Sequence, residues 1–154
     1  MSELSQTVAS GFRAAFQDYL QRVQTLAAPL TEEQFWRKPY PYGNSFGHLV
    51  LHLTGNLSYY IGAQIAATGY VRDREREFTD SQPPSKEEAL NRLAAAVEMV
   101  VQTVEAQSET DWSAPYEAVG VNDLSDRFSI TLRCAAHFFH HLGQLIYLTK
   151  EHSR

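Results

Sequence analysis

His137-Phe138-Phe139-His140-His141-Leu142-Gly143-Gln144 lies inside a run, residues 126–151, that holds no proline and a single glycine. Such a run reads as one long helix. Residues four apart stand one above the other on a helix, so His137 and His141 project side by side. At roughly 100° per residue, Ile130, Cys134, Gln144 and Leu148 fall within about 60° of His137. Four polar-capable side chains, Cys134, His137, His141 and Gln144, therefore share a stripe with Ile130 and Leu148. Imidazoles turned toward a core need partners, because an unpaired buried polar group costs roughly 1–3 kcal/mol. His140, about 60° from His137 and about 100° from His141, points to a helix neighbour, to solvent or to a partner subunit.

A second pair, His48 and His52, sits in Asn44-Ser45-Phe46-Gly47-His48-Leu49-Val50-Leu51-His52-Leu53-Thr54-Gly55-Asn56. If both helices face one interior, three or four imidazoles converge. Two histidines from one helix and one from another make a metal site with open positions, the arrangement of catalytic rather than structural sites. The plainer alternative is a metal-free bundle whose histidines hydrogen-bond between helices.

The remaining chain supplies helices to build that interior. A first helix is expected over residues 5–28, where Val8, Phe12, Ala15, Phe16, Tyr19, Leu20, Val23 and Leu26 recur at three- and four-residue spacing. Pro29 ends it. Thr31 and Gln34 make a capping pair for one short turn, and Lys38-Pro39-Tyr40-Pro41-Tyr42-Gly43 is an aromatic loop. A second helix starts at Asn44 or Ser45 and is expected to reach Ala67 or Thr68, with Gly69 as its stop. One face carries Phe46, Val50, Leu53, Leu57 and Ile61; the other carries Ser45, His48, His52, Asn56, Tyr59 and Ala63. So much apolar circumference marks a central helix or one covered by another subunit, which predicts a homodimer.

Residues 70–84 read as a polar loop. Ser85-Lys86-Glu87-Glu88 is a capping box opening a third helix to about Gln107. Residues 108–125 are a long connection, with room for a short hairpin over 116–124, and Asp126 or Ser125 caps the fourth helix. Four long helices predict an all-α, antiparallel-type bundle. The connections longer than about 12 residues suit crossovers.

Composition narrows the function. With 154 residues the chain suits one domain with a sizeable core. Thirteen Lys and Arg against 18 Asp and Glu leave a net charge of −5, which excludes a general nucleic-acid or anionic-membrane surface. Arg72-Asp73-Arg74-Glu75-Arg76-Glu77 alternates in sign rather than forming a basic cluster. No secretory pattern and no membrane-length apolar run is present, and Cys134 is the only cysteine, so no intramolecular disulfide forms. A cytoplasmic protein is expected.

Missing motifs narrow the chemistry. There is no His-Glu-x-x-His, no Glu-x-x-His of the di-iron bundles and no Cys-x-x-Cys. An all-nitrogen set plus water remains, suited to Zn²⁺, Ni²⁺ or Fe²⁺. Cys134 reads as a packed side chain, with a soft ligand as the alternative. No acidic residue is placed beside the histidines by spacing, so no general base and no catalytic side chain is assigned. Asn56, Tyr59 and Gln144 are candidates for supporting a metal or binding a substrate, against ordinary interhelical hydrogen bonding.

At these residues the chain resembles the DinB-like superfamily, the damage-inducible family that includes thiol-dependent transferases of the bacillithiol and mycothiol type. The resemblance is carried by the stretch from Asn44 to Asn56, by Arg74-Glu75-Arg76-Glu77-Phe78, and by His137-x-x-x-His141-Leu142-Gly143-Gln144, with Leu142 where the family commonly has arginine. It implies a four-helix bundle in up-down-down-up order, often dimeric, with one divalent metal on three histidines. By position the ligands are His52, His137 and His141. His48, one turn away, competes as a ligand or lines the pocket. The implied function is a metal-dependent enzyme of thiol S-transferase or hydrolase type, acting on a small molecule with a low-molecular-weight thiol or water. The alternative is a non-catalytic, stress-related bundle protein whose metal is structural.

Overall fold

The computed structural model describes residues 2–154. The class is all-helical, with no strand among the described residues. Helix α1 spans Glu3–Ala27, α2 Glu32–Trp36, α3 Phe46–Leu57, α4 Arg76–Thr79, α5 Lys86–Glu105, α6 Glu109–Trp112 and α7 Arg127–His152; a π-helical segment, Ser58–Ala63, continues α3.

Local chemistry sets the helix starts. The side chains of Ser2, Thr31, Ser45, Ser85, Ser108 and Asp126 each accept a backbone N–H of the first turn, which satisfies donors that have no partner within the helix. The Thr31–Gln34 pair forms the expected reciprocal capping box. At Ser85 the box is half formed: Ser85 caps Glu88 N, while the Glu88 carboxylate pairs with Arg92 one turn on.

The buried faces pack helix on helix. Helix α1 lies against α5 and α7, and α3 against the same two helices. Phe16, Val23, Phe46, Leu53, Leu57, Leu93, Phe138, Leu142 and Leu145 are among the fully buried side chains between them. Phe46, Val50, Leu53, Leu57 and Ile61, the expected apolar face of the second helix, are all buried in this core. The buried Ser5 hydroxyl donates to the Gln107 carbonyl over 2.6 Å, tying the start of α1 to the end of α5. No helix is long and apolar enough to cross a membrane among the described residues.

One expectation changes. The second helix does not run as a regular α-helix to residue 67 or 68. Its hydrogen bonding widens after Leu57, with Gln64 N bonding Tyr59 O at 3.2 Å and Ala66 N bonding Ile61 O at 3.0 Å. The Tyr60 carbonyl is taken instead by the Tyr116 hydroxyl, 2.7 Å away, so a side chain from a distant loop draws an acceptor out of the ladder. Ala67 then turns at φ 54° and Gly69 at φ 79°. Around residues 116–124, where a short hairpin had room, no strand forms, but isolated antiparallel bridges join Pro115 to Asp126 and Ala118 to Val121, and Tyr116 N donates to Ser125 O over 3.1 Å. The connection is anchored by side chains: the one-turn helix α6 buries Trp112, and Val119 N donates to the Tyr59 hydroxyl.

Candidate metal centre

Helix α3 carries His52 and α7 carries His137 and His141, and the packing of the two helices brings these three together. His52 Nε2 lies 3.1 Å from His137 Nε2, and His141 Nε2 lies 3.1 Å from the same atom. The three form a group able to hold a metal ion. Tetrahedral nitrogen ligands about 2.1 Å from an ion stand about 3.4 Å apart, close to the spacing seen.

The outer nitrogens decide which atoms face inward. His52 Nδ1 is 2.9 Å from Glu77 Oε1. A carboxylate only accepts, so Nδ1 carries the proton and Nε2 presents a lone pair. His141 Nδ1 is 2.7 Å from Gln144 Oε1, which sets the same tautomer. Two lone pairs therefore converge on His137 Nε2, and a single N–H there can satisfy only one. Protonating the cluster is opposed as well. Burial, then the positive charge of His141, His52 and Arg72, pushes the His137 pKa down to about 3, and burial lowers that of His141. A cation shared by three bare nitrogens answers this arrangement, so the residues fit a divalent metal.

Behind His52 stands a buried ion pair absent from the expectations drawn on spacing. Glu77, in α4, is 6% exposed. Arg72 Nε donates to its Oε2 and Arg72 Nη2 to its Oε1, both over 2.9 Å, a bidentate fork. Burial works against the Arg72 charge, yet the Glu77 carboxylate leaves the guanidinium pKa raised. Phe78 lays its ring 4.7 Å from that of His52. The signal in the sequence was Phe78 itself, the one apolar side chain between Arg72 and Gln82, which turns a charged loop inward.

The other candidates take distinct places. His48 is outside the cluster: its Nδ1 lies 2.6 Å from Ser45 Oγ and its ring stands edge-on to Trp36. Tyr59 serves the 116–124 connection. Gln144, exposed on α7, orients His141. Asn56 is 7% exposed with an unpartnered Oδ1, and it borders a cavity of about 170 Å³ shared with His52 and His137. Cys134 borders the same cavity; burial pushes its thiol up to about 12, so it stays a neutral, packed thiol. His140 lies beside Gln144, and His152 contacts Arg37 at the far end of α7. A separate hollow of about 770 Å³ along α3 and α5 is lined by none of the three clustered histidines.

Residues 15–145 match the sequence model of the DinB superfamily. The chain belongs to this superfamily. No curated protein matches it. Membership in the DinB superfamily agrees with the resemblance carried by the two histidine-bearing helices, and the triad of α3 and α7 lies within the matched span.

Proposed function

We propose that this DinB-superfamily chain is a metal-dependent enzyme of thiol S-transferase or hydrolase type, with one divalent metal on His52, His137 and His141. The observation that carries the reading is the convergence of two fixed Nε2 lone pairs on a third imidazole nitrogen. When bound, zinc, nickel or iron supplies Lewis-acid activation of a water or a low-molecular-weight thiol. The chain's own residues do the positioning. Glu77 holds the His52 ring through Nδ1, Arg72 holds Glu77 in place through two hydrogen bonds, and Gln144 holds His141.

An open coordination position is favoured over a closed structural site by two observations. His48, the one further imidazole on α3, is engaged with Ser45. A cavity reaches His52 and His137 from the side of Asn56, giving a small molecule a way in. The four-helix, up-down-down-up bundle as a single domain over residues 1–154, the homodimer and the cytoplasmic setting belong to the same proposal.

The test is metal content of tag-free protein by mass spectrometry, with His52→Ala and His137→Ala alongside. About one metal per chain, lost in both variants, is expected from three ligands, and it justifies assays of thiol transfer and hydrolysis. No metal, and no uptake of zinc, nickel or iron, overturns the reading. Metal whose removal lowers the melting temperature, in a protein with no activity toward thiols or esters, favours the structural alternative.

A further inference from the structure

The cavity beside His52 and His137 has an unusual lining. Arg72, Arg74 and Arg133 all border it, and no aspartate or glutamate is among its described lining residues, in a chain of net charge −5. Two of these guanidiniums have carboxylate partners outside the lining, Arg72 with Glu77 and Arg133 with Asp123. Among the described residues Arg74 has none; its guanidinium lies over the Phe78 ring, 5.7 Å from the centroid, and the Phe78 ring in turn packs, tilted, against that of His52. The three arginines thus outnumber their two carboxylate partners by one.

The polar atoms on the walls point to the same kind of ligand. Arginine offers donors and no acceptor. Asn56 borders the cavity and is more than nine-tenths buried. Its Oδ1 is shut away without a partner among the described residues, which leaves its amide N–H₂, a donor, as the group that a ligand can meet. The wall that carries His52 and His137 gains further positive charge once a divalent cation is held there. A hollow of about 170 Å³ is of the size that admits a benzene-sized molecule, about six non-hydrogen atoms.

We infer that this cavity binds a small carboxylate anion, with Arg74 and Asn56 as its recognition groups. The inference rests on the proposed function for its place beside the metal ligands, and it names the substrate class of that site as a small organic acid. Arg74 is the specificity-determining residue, since of the three arginines that border the cavity it alone has no carboxylate partner among the described residues.

The experiment is a titration of zinc-loaded, ¹⁵N-labelled protein with lactate, and with 1,2-propanediol as its uncharged counterpart. The readout is the side-chain amide signal of Asn56, with zinc stoichiometry measured in parallel. Lactate is expected to shift that signal saturably and to bind at least about tenfold more tightly than the diol. Arg74→Gln, a change at an exposed side chain, is expected to weaken lactate about tenfold with zinc content unchanged. Asn56→Ala is expected to weaken it too, followed through neighbouring backbone amides. Equal binding of lactate and diol, no binding of lactate, or lactate affinity unchanged in Arg74→Gln each overturns the inference while leaving the metal reading intact. If the protein takes up no zinc, the metal reading falls, and the same titration of metal-free protein still decides the cavity by its dependence on Arg74.

Discussion

Gly55 in α3 packs against the carboxylate of Glu77 so closely that a Cβ at position 55 would overlap Glu77 Oε2. Glycine in a helix interior is unfavourable by about 1 kcal/mol relative to alanine, so its presence one turn after His52 reflects this close approach. The glycine lets Glu77 reach His52 Nδ1, and Arg72 closes the arrangement from the other side. Gly55→Ala should therefore displace a carboxylate held by two partners. Net destabilisation of roughly 1–3 kcal/mol is expected in urea unfolding, with zinc affinity lowered about 10–100-fold in chelator competition. A more stable protein with unchanged zinc affinity would show that Glu77 moves aside freely and does not support the site.

Glu77→Gln tests the same support with little change in volume. A glutamine oxygen still accepts from His52 Nδ1, but the charge that matches Arg72 is gone. Arg72 is 10% and Glu77 6% exposed at the side chain, and breaking a buried pair from one side costs about 3–5 kcal/mol. Zinc affinity is expected to fall about 10–100-fold, the range for loss of an outer partner of a ligating histidine. Arg72→Met combined with Glu77→Gln should lose less stability than the two single changes added together. Strict additivity would mean that the pair is not coupled in solution.

How much of this was legible follows the reach of local rules. The caps at Thr31, Ser85 and Asp126 and the apolar faces of α1, α3, α5 and α7 depend on residues a few positions apart, and the sequence displays them. His137 and His141 are likewise one turn apart, so their pairing could be read directly. The choice between His48 and His52 could not, because it depends on how α3 is rotated against α7. Glu77 is 25 residues from His52 and lies in a run of alternating charge, where any of several carboxylates could have faced inward. The π-helical widening after Leu57 was hidden for the same reason: the Tyr116 hydroxyl that takes the Tyr60 carbonyl is 56 residues away.

Asp126 gives the stability of α7 a pH dependence of definite sign. Its Oδ1 accepts from Ser129 N over 2.7 Å, and that backbone hydrogen bond, above all, holds its carboxyl below the usual carboxylate range. A pKa lowered in the folded chain means stability that is complete above the unfolded value, about 3.9, and is lost as pH falls through the folded value. Asp126→Ala is expected to cost about 1 kcal/mol at pH 7, as loss of an N-cap does. The gap from the parent protein should narrow in acid, below the folded pKa. A gap that is constant with pH, measured by urea unfolding at matched temperature, would show that the cap contributes without its charge.

The dimer expected from the second helix has to be sought on a different surface. The apolar faces of α3 are consumed inside the chain, where Leu49, Val50, Leu53 and Leu57 are all at most 3% exposed. Large apolar side chains stay in the open on α7 instead: Phe128 at 39%, Leu132 at 53%, Phe139 at 53% and Tyr147 at 70%. Their spacing keeps them along one side of the helix. Gly143 lies between the last two, and a Cβ there would meet nothing within 4 Å, which leaves room for a second backbone to approach. If two copies pair through this stripe, light scattering should give twice the chain mass of 17.4 kDa, and Leu132→Glu should return it to the mass of one chain. The same variant's unfolding, measured at a concentration where the parent is also monomeric, should change by no more than about 0.5 kcal/mol, since the side chain is half exposed within the chain. A parent protein that runs at the mass of one chain at all concentrations removes the dimer, and the stripe is then an exposed face of a monomer.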